Sequence, residues 1–130
     1  MAEPKLADRA GEPIGWLTTV TPKGRPAPRP VWFVLDGEDV VLFSRPGTAK
    51  LRHIEANPDV SFHLNSDEHG GSILVVNGKA HVEAGKAAEA PGFRDKYAPH
   101  YAGAGFSAPE AFEAEYSVRI RVVPERFWGF

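Results

Sequence analysis

The stretch VVLFSRPGTAKLRH, residues 40–53, gathers the side chains with most to offer chemically: Ser44, Arg45, Thr48, Lys50 and Arg52. An apolar run ends there in a polar turn containing Gly47, and a helical pattern follows. Hydroxyls, free amides at a helix start and two or three cations are the ingredients of a phosphate cradle. Lys50 falls in the first helical turn, where the helix field disfavours a cation unless an anion accompanies it. The same residues also make an ordinary junction, with Gly47 in the turn, Thr48 capping and Lys50 in water. By themselves the residues leave both readings open.

Two further groups stand beside this stretch. Arg29, in PRPVW, precedes a strand expected to neighbour residues 40–44; hairpin geometry sets it near Ser44 and Arg45, the alternative being an arginine that faces solvent. Trp128 and Phe130 crowd the C-terminus, where aromatics pack on the body of the protein, fill a subunit interface or wall a planar ligand. No nucleophile elbow, HExxH, GxxxxGK[ST] or GxGxxG motif occurs, so the residues identify no catalytic side chain. The five histidines lack metal-ligand spacing and have no cysteines to assist them, so no metal site is expected. His69 and Asp67 in SDEHGG read as a solvated loop rather than a dyad.

These residues must be positioned by a small body. The 130 residues, 42% of them apolar, suit one domain over 1–130 with a core that needs no disulfide or metal. A net charge of −2 gives no general attraction to nucleic acid or acidic membranes. Arg119 and Arg121 beside exposed aromatics are too scattered to make a convincing single-strand nucleic-acid surface. With no cysteine, no apolar leader and no apolar run of ~18 residues, a cytoplasmic protein without membrane contact is the expectation.

The first dozen residues are polar, a short helix or a fraying end. GWLTTVT reads as a strand ending at the turn TPKG. In RPAPRPVWFVL three prolines confine the first half to an edge or an unpaired approach. Its second half is a strand with Val31, Phe33 and Leu35 on one face, paired through DGED with residues 40–44. TAKLRHIEANP reads as a helix with Thr48 as cap and Asn57-Pro58 as stop. Leu51 and Ile54 face the core, while Lys50, His53 and Asn57 share another face. VSFHLN alternates, with Val60, Phe62 and Leu64 inward. SILVVNGKAHVEA is a long strand that Gly78 bends or bulges, residues 86–101 are broken helix around Pro91-Gly92, and Ser107 with Glu110 suggests a capping box. YSVRIRVVP is the last strand. About six strands with short helices between them imply a mainly β fold, an antiparallel sheet curling into a small barrel.

The succession GWLTTVTPKGRPAPRPVWFVLDG, VVLFSRPGTAKLRHIEANPDVSFHLN, GGSILVVNGKAHVE and PERFWGF resembles the pyridoxamine 5'-phosphate oxidase-like split-barrel flavoproteins. Within them it is similar to the actinobacterial subgroup that uses the deazaflavin coenzyme F-420. The resemblance implies a six-stranded antiparallel split β-barrel, the FMN-binding split barrel, acting as a homodimer with cofactor at the interface. It implies that Ser44, Arg45, Thr48 and Lys50 hold the cofactor phosphate, that Arg29, Pro30, Val31 and Trp32 flank the ring system, and that Trp128 approaches from the partner subunit. It further implies hydride transfer between coenzyme F-420, or alternatively FMN, and an unsaturated or conjugated small molecule; a non-catalytic carrier of the same cofactors is the other reading. His63 and Asn65 are candidates for contacts to ring or substrate. The hydride chemistry would belong to the cofactor, which accounts for the missing catalytic motif.

Overall fold

The structure, a computed structural model, describes residues 5–130. Residues 1–4 of the polar N-terminus lie outside the described residues, and Leu6–Arg9 form a 3₁₀ helix. Seven strands follow: β1 (Gly15–Val20), β2 (Pro26–Val31), β3 (Phe33–Asp36), β4 (Asp39–Ser44), β5 (Asp59–Leu64), β6 (Leu74–Glu83) and β7 (Val118–Gly129). Three short helices accompany them: α1 (Ala49–Ala56), α2 (Phe93–Tyr97) and α3 (Pro109–Glu115). The strands form one antiparallel sheet in the order β2-β1-β5-β6-β7-β4-β3. It is mainly β with short helices, curled into a split barrel.

The two edges of that sheet are one continuous run of chain. Residues 26–31 pair with β1, Trp32 interrupts, and residues 33–36 pair with β4. The expected six strands become seven because this segment changes partners midway. Prolines at 26, 28 and 30 alternate with Ala27, Arg29 and Val31, so only the intervening residues present an N–H to β1. The side chains of α2 hold the changeover. Tyr97 Oη accepts from the Phe33 N–H at 2.7 Å, and Lys96 Nζ donates to the Phe33 carbonyl at 2.7 Å from a position 3.6 Å from the Phe33 ring centre.

Period-two alternation sorts the apolar residues onto two faces. Val40 and Leu42 point into the barrel with Phe33, Phe62, Val76 and Ile120. Val41 and Phe43 point the other way, onto Phe93, Tyr97, Tyr101 and Phe112 beneath α2 and α3. Strand β4 reads as an unbroken apolar run because both of its faces are covered. Val31 and Phe33 are buried in the inner cluster with Leu35 packed against it, and Val60, Phe62 and Leu64 alternate inward as expected.

Several local expectations need correction. Thr48 occupies the position before α1 but makes no capping bond; its hydroxyl lies 2.9 Å from Ser44 Oγ instead. Ala108, not Ser107, precedes α3, because Pro109 takes the first helical position and no side-chain cap forms. The last strand does not stop at Pro124 but runs on to Gly129, with Trp128 paired in register with Val75. The bend or bulge expected at Gly78 is borne out as a bulge: Asn77 pairs with Arg126 and Gly78 with Pro124, leaving Glu125 without an opposite number.

Candidate functional site

A cavity of about 610 Å³ opens between β2 and the turn from β4 into α1, within the ~300–1,000 Å³ usual for small-molecule sites. One end is polar: Thr19 from β1, Arg29 from β2, and Thr48, Lys50 and His53 around the start of α1. The other end is aromatic, with Trp32, Phe43, Phe106, Phe112 and Tyr116. The helical period explains Lys50 and His53, which lie i,i+3 on one face while Ile54 is buried in the barrel. The aromatic end is held by stacking. Trp32 lies 4.4 Å from Tyr97 and 5.2 Å from Phe112, and Phe112 lies 4.7 Å from Tyr116, with rings near parallel in each pair.

The charges in the cavity are unbalanced. Lys50 is pushed below its ordinary range by burial and, secondly, by the neighbouring Arg29 guanidinium. Among the described residues neither Lys50 nor Arg29 has a carboxylate within ion-pairing distance. Arg45 differs: its Nη2 lies 2.6 Å from Glu115 Oε1 and its guanidinium stands 5.3 Å from the Tyr116 ring centre. Two cations brought together in a part-buried space, without an anion of the protein's own, suit an anionic ligand.

The start of α1 adds to this. Thr48 gives its first-turn amides no side-chain cap. Ser44 is fully buried, and its hydroxyl donates to the Arg45 carbonyl at 2.9 Å. The Thr48 hydroxyl must then donate to Ser44, so both serve to brace the turn. The uncapped start of α1 borders the cavity, with Lys50 and the exposed Arg29, whose Nη1 donates to the Pro28 carbonyl at 2.7 Å, in its lining.

Of the residues expected from sequence, the structure brings Arg29, Pro30, Val31, Trp32, Arg45, Thr48 and Lys50 around one cavity. Ser44 lies outside its lining. His63 and Asn65 are elsewhere: His63 stacks on Trp16 with ring centres 6.2 Å apart, and Asn65 Oδ1 accepts from Trp16 Nε1 at 2.8 Å. Trp128 is on the β6–β7 face, 49% exposed and outside the cavity lining. Thr19, His53, Phe106, Phe112, Glu115 and Tyr116 line the cavity without having been singled out for it. His53 alone carried a legible signal, its shared helical face with Lys50. Arg119 and Arg121 bind carboxylates, Arg121 reaching Asp36, Asp39 and Glu83 at 2.9–3.1 Å, and so present no free basic surface.

Among the described residues no helix is long and apolar enough to cross a membrane. No curated protein matches the chain. Among solved structures it is similar to an F420 reductase, at 26% identity over 98% of both chains with a TM-score of 0.74. A conserved hypothetical protein of Mycobacterium tuberculosis shares the fold at 20% identity, over 98% of this chain and 82% of that one, with a TM-score of 0.71. A Listeria innocua protein provisionally assigned as a pyridoxamine 5'-phosphate oxidase shares it at 24% identity, 95% and 92% coverage, and a TM-score of 0.68. Fold and family are those of the flavin- and deazaflavin-binding oxidoreductases of this barrel type. The pyridoxamine 5'-phosphate oxidase family profile matches residues 3–129, nearly the whole sequence, and the chain belongs to that family.

Proposed function

We propose that the protein is a homodimeric oxidoreductase that binds coenzyme F-420, with FMN as the alternative, and passes hydride to an unsaturated or conjugated small molecule. The observation that carries this reading is the Arg29–Lys50 pair, two neighbouring cations in a part-buried cavity with no carboxylate of their own among the described residues. A bound phosphate would relieve their repulsion and accept from the uncapped amides of α1. The cavity is roomy enough for a planar ring system beyond that phosphate, and its aromatic end offers faces and edges to pack on.

When bound, the cofactor supplies the hydride chemistry. The protein's part is to orient and to keep water out. Lys50 and Arg29 fix the phosphate, while Trp32, Phe112 and Tyr116 form a dry wall. The ion pair of Arg45 with Glu115 links the phosphate turn to α3 at the cavity's surface. The likeness to an F420 reductase, at 26% identity over 98% of both chains, is the support for naming the deazaflavin first.

The dimer is supported by apolar side chains left exposed on β6, β7 and the C-terminus: Val82, Val123, Phe127, Trp128 and Phe130 are 38–75% exposed. Pairing puts Val123, opposite Lys79, and Trp128, opposite Val75, on the same face of the β6–β7 ribbon, with Phe127 on the other. A second copy covering the Val123–Trp128 face would bring Trp128 toward its partner's cavity, the role the resemblance gives it.

The test is titration of one preparation with coenzyme F-420 and with FMN, followed by a reductant-coupled assay over quinones and conjugated tetrapyrroles. Tighter binding of F-420 with turnover of at least one acceptor is expected. Tighter FMN binding would reverse the cofactor assignment, and binding without turnover across the panel would favour a carrier. Binding of neither would overturn the reading. In sedimentation a dimer is expected that Trp128→Glu dissociates; a monomeric wild type would remove the dimer.

A further inference from the structure

We infer that His53, held by Thr19, is a third anion-binding group of this cavity and couples ligand binding to proton uptake. The inference rests on the proposed phosphate site and adds to it a residue and a pH dependence.

Thr19 is 2% exposed, and its Oγ1 lies 2.9 Å from His53 Nδ1. Both residues line the polar end of the cavity. With Nδ1 engaged by a buried hydroxyl, Nε2 is the nitrogen left to meet a ligand. The position follows from the fold. His53 is one helical turn beyond Lys50 on the same face of α1, and Thr19 pairs with Ala27, two residues before Arg29 on the same face of β2. Thr19, Ala27 and His53 therefore extend the polar end past the Arg29–Lys50 pair, and Ala27 leaves room beside the imidazole.

The charged groups around that space are Arg29 from β2, Lys50 from α1, Arg45 from the β4–α1 turn and Glu115 from α3, with Thr19 the contact from β1. Glu55 and His81 line a separate depression with Leu51 and Ile54, on another face of α1. The cavity thus carries three cations and one carboxylate before His53 takes a proton. An anion held by Arg29 and Lys50 would favour the protonated imidazole as a further charged donor. Binding of the anion and protonation of the imidazole then assist each other, so affinity falls as pH rises through the range where histidine titrates.

Calorimetric titration of coenzyme F-420, and of FMN, in two buffers of different ionisation enthalpy counts the protons taken up on binding. The wild type is expected to take up more protons on binding than His53→Gln, and its affinity to fall on the order of tenfold more than the variant's between pH 5.5 and pH 8, the low end for a charge-assisted hydrogen bond. His53→Gln keeps a donor but should lose this dependence. Thr19→Val should weaken it, and Thr19→Ser should restore it, which separates orientation of the ring from general damage to the fold. Thermal melts of each variant confirm a folded protein. Tight binding with unchanged proton uptake in His53→Gln would overturn the inference and leave the phosphate site standing. Failure of both cofactors to bind the wild type would overturn the phosphate site and this inference with it.

Discussion

Replacing Lys50 by methionine should make the empty protein no less stable while damaging its affinity for a phosphate-bearing ligand. The two effects have one cause. Burial and the nearby Arg29 charge both press the Lys50 ammonium toward its neutral form, so the charged side chain is held at a cost in the free protein. Methionine keeps the aliphatic length along the cavity wall and removes that cost. With ligand bound the sign reverses, since the ammonium then makes a charge-assisted hydrogen bond worth about 1.5–3 kcal/mol. At 1.4 kcal/mol per decade this corresponds to roughly 10- to 150-fold in Kd. Fluorescence titration with coenzyme F-420, FMN and riboflavin checks it, because riboflavin has the ring of FMN without its phosphate. Phosphate-bearing ligands should lose the stated factor in Lys50→Met while riboflavin binding stays within about twofold of wild type. Urea denaturation of the free variant should give a midpoint equal to or above that of wild type. An equal loss for riboflavin, or unchanged affinity for both cofactors, would refute the assignment of Lys50 to phosphate.

Other outcomes follow from the same structure. Burial pushes Lys96 down to about 8 in the folded chain, with Glu12 opposing, against an ordinary value of about 10.4. Between those values the unfolded chain holds more protons, so this residue's contribution makes stability rise with pH; melting temperature in Lys96→Met should rise less from pH 8 to 10.4 than in wild type. A Cβ at Gly78 would stand 2.2 Å from the Val123 carbonyl oxygen, a backbone atom of the bulge, so Gly78→Ala should cost about 1–3 kcal/mol or more in urea denaturation. Arg121→Met leaves Asp39 without its cation, and Asp36 and Glu83 with Arg119 alone, around a side chain only 19% exposed; it should lower the urea midpoint more than Arg25→Met in the exposed turn after β1.

Much of the fold could be read from alternation and punctuation. Val60, Phe62 and Leu64 alternate because one face of β5 lines the barrel, and DGED makes a hairpin because Gly37, at φ 63°, supplies the turn. The strand count could not be read, since nothing local marks Trp32 as the point where the chain changes partners. That change is decided by Tyr97 and Lys96, more than sixty residues away, at the Phe33 backbone. Capping was misread for a related reason: Ser44 is four residues from Thr48 and takes its hydroxyl, a contact that depends on β4 being buried. In the cavity the polar end was legible because a helix face and a hairpin are local devices. The aromatic end was not, because Phe106 and Phe112 reach Trp32, and Tyr116 stacks on Phe112, only through the packing of residues 106–116 on the outer face of β4.

The prolines at 26, 28 and 30 have a mechanical consequence. Because they all lie on the outward side of β2, that margin carries carbonyl oxygens and no amide hydrogens at three alternate positions. No ladder can zip across it, from the opposite margin of the same sheet or from the edge of another molecule. The slot beside Arg29 is therefore kept from sealing by covalent chemistry rather than by a balance of weak contacts. Its two lips can spread or draw together around guests of different thickness without breaking a single backbone hydrogen bond between them.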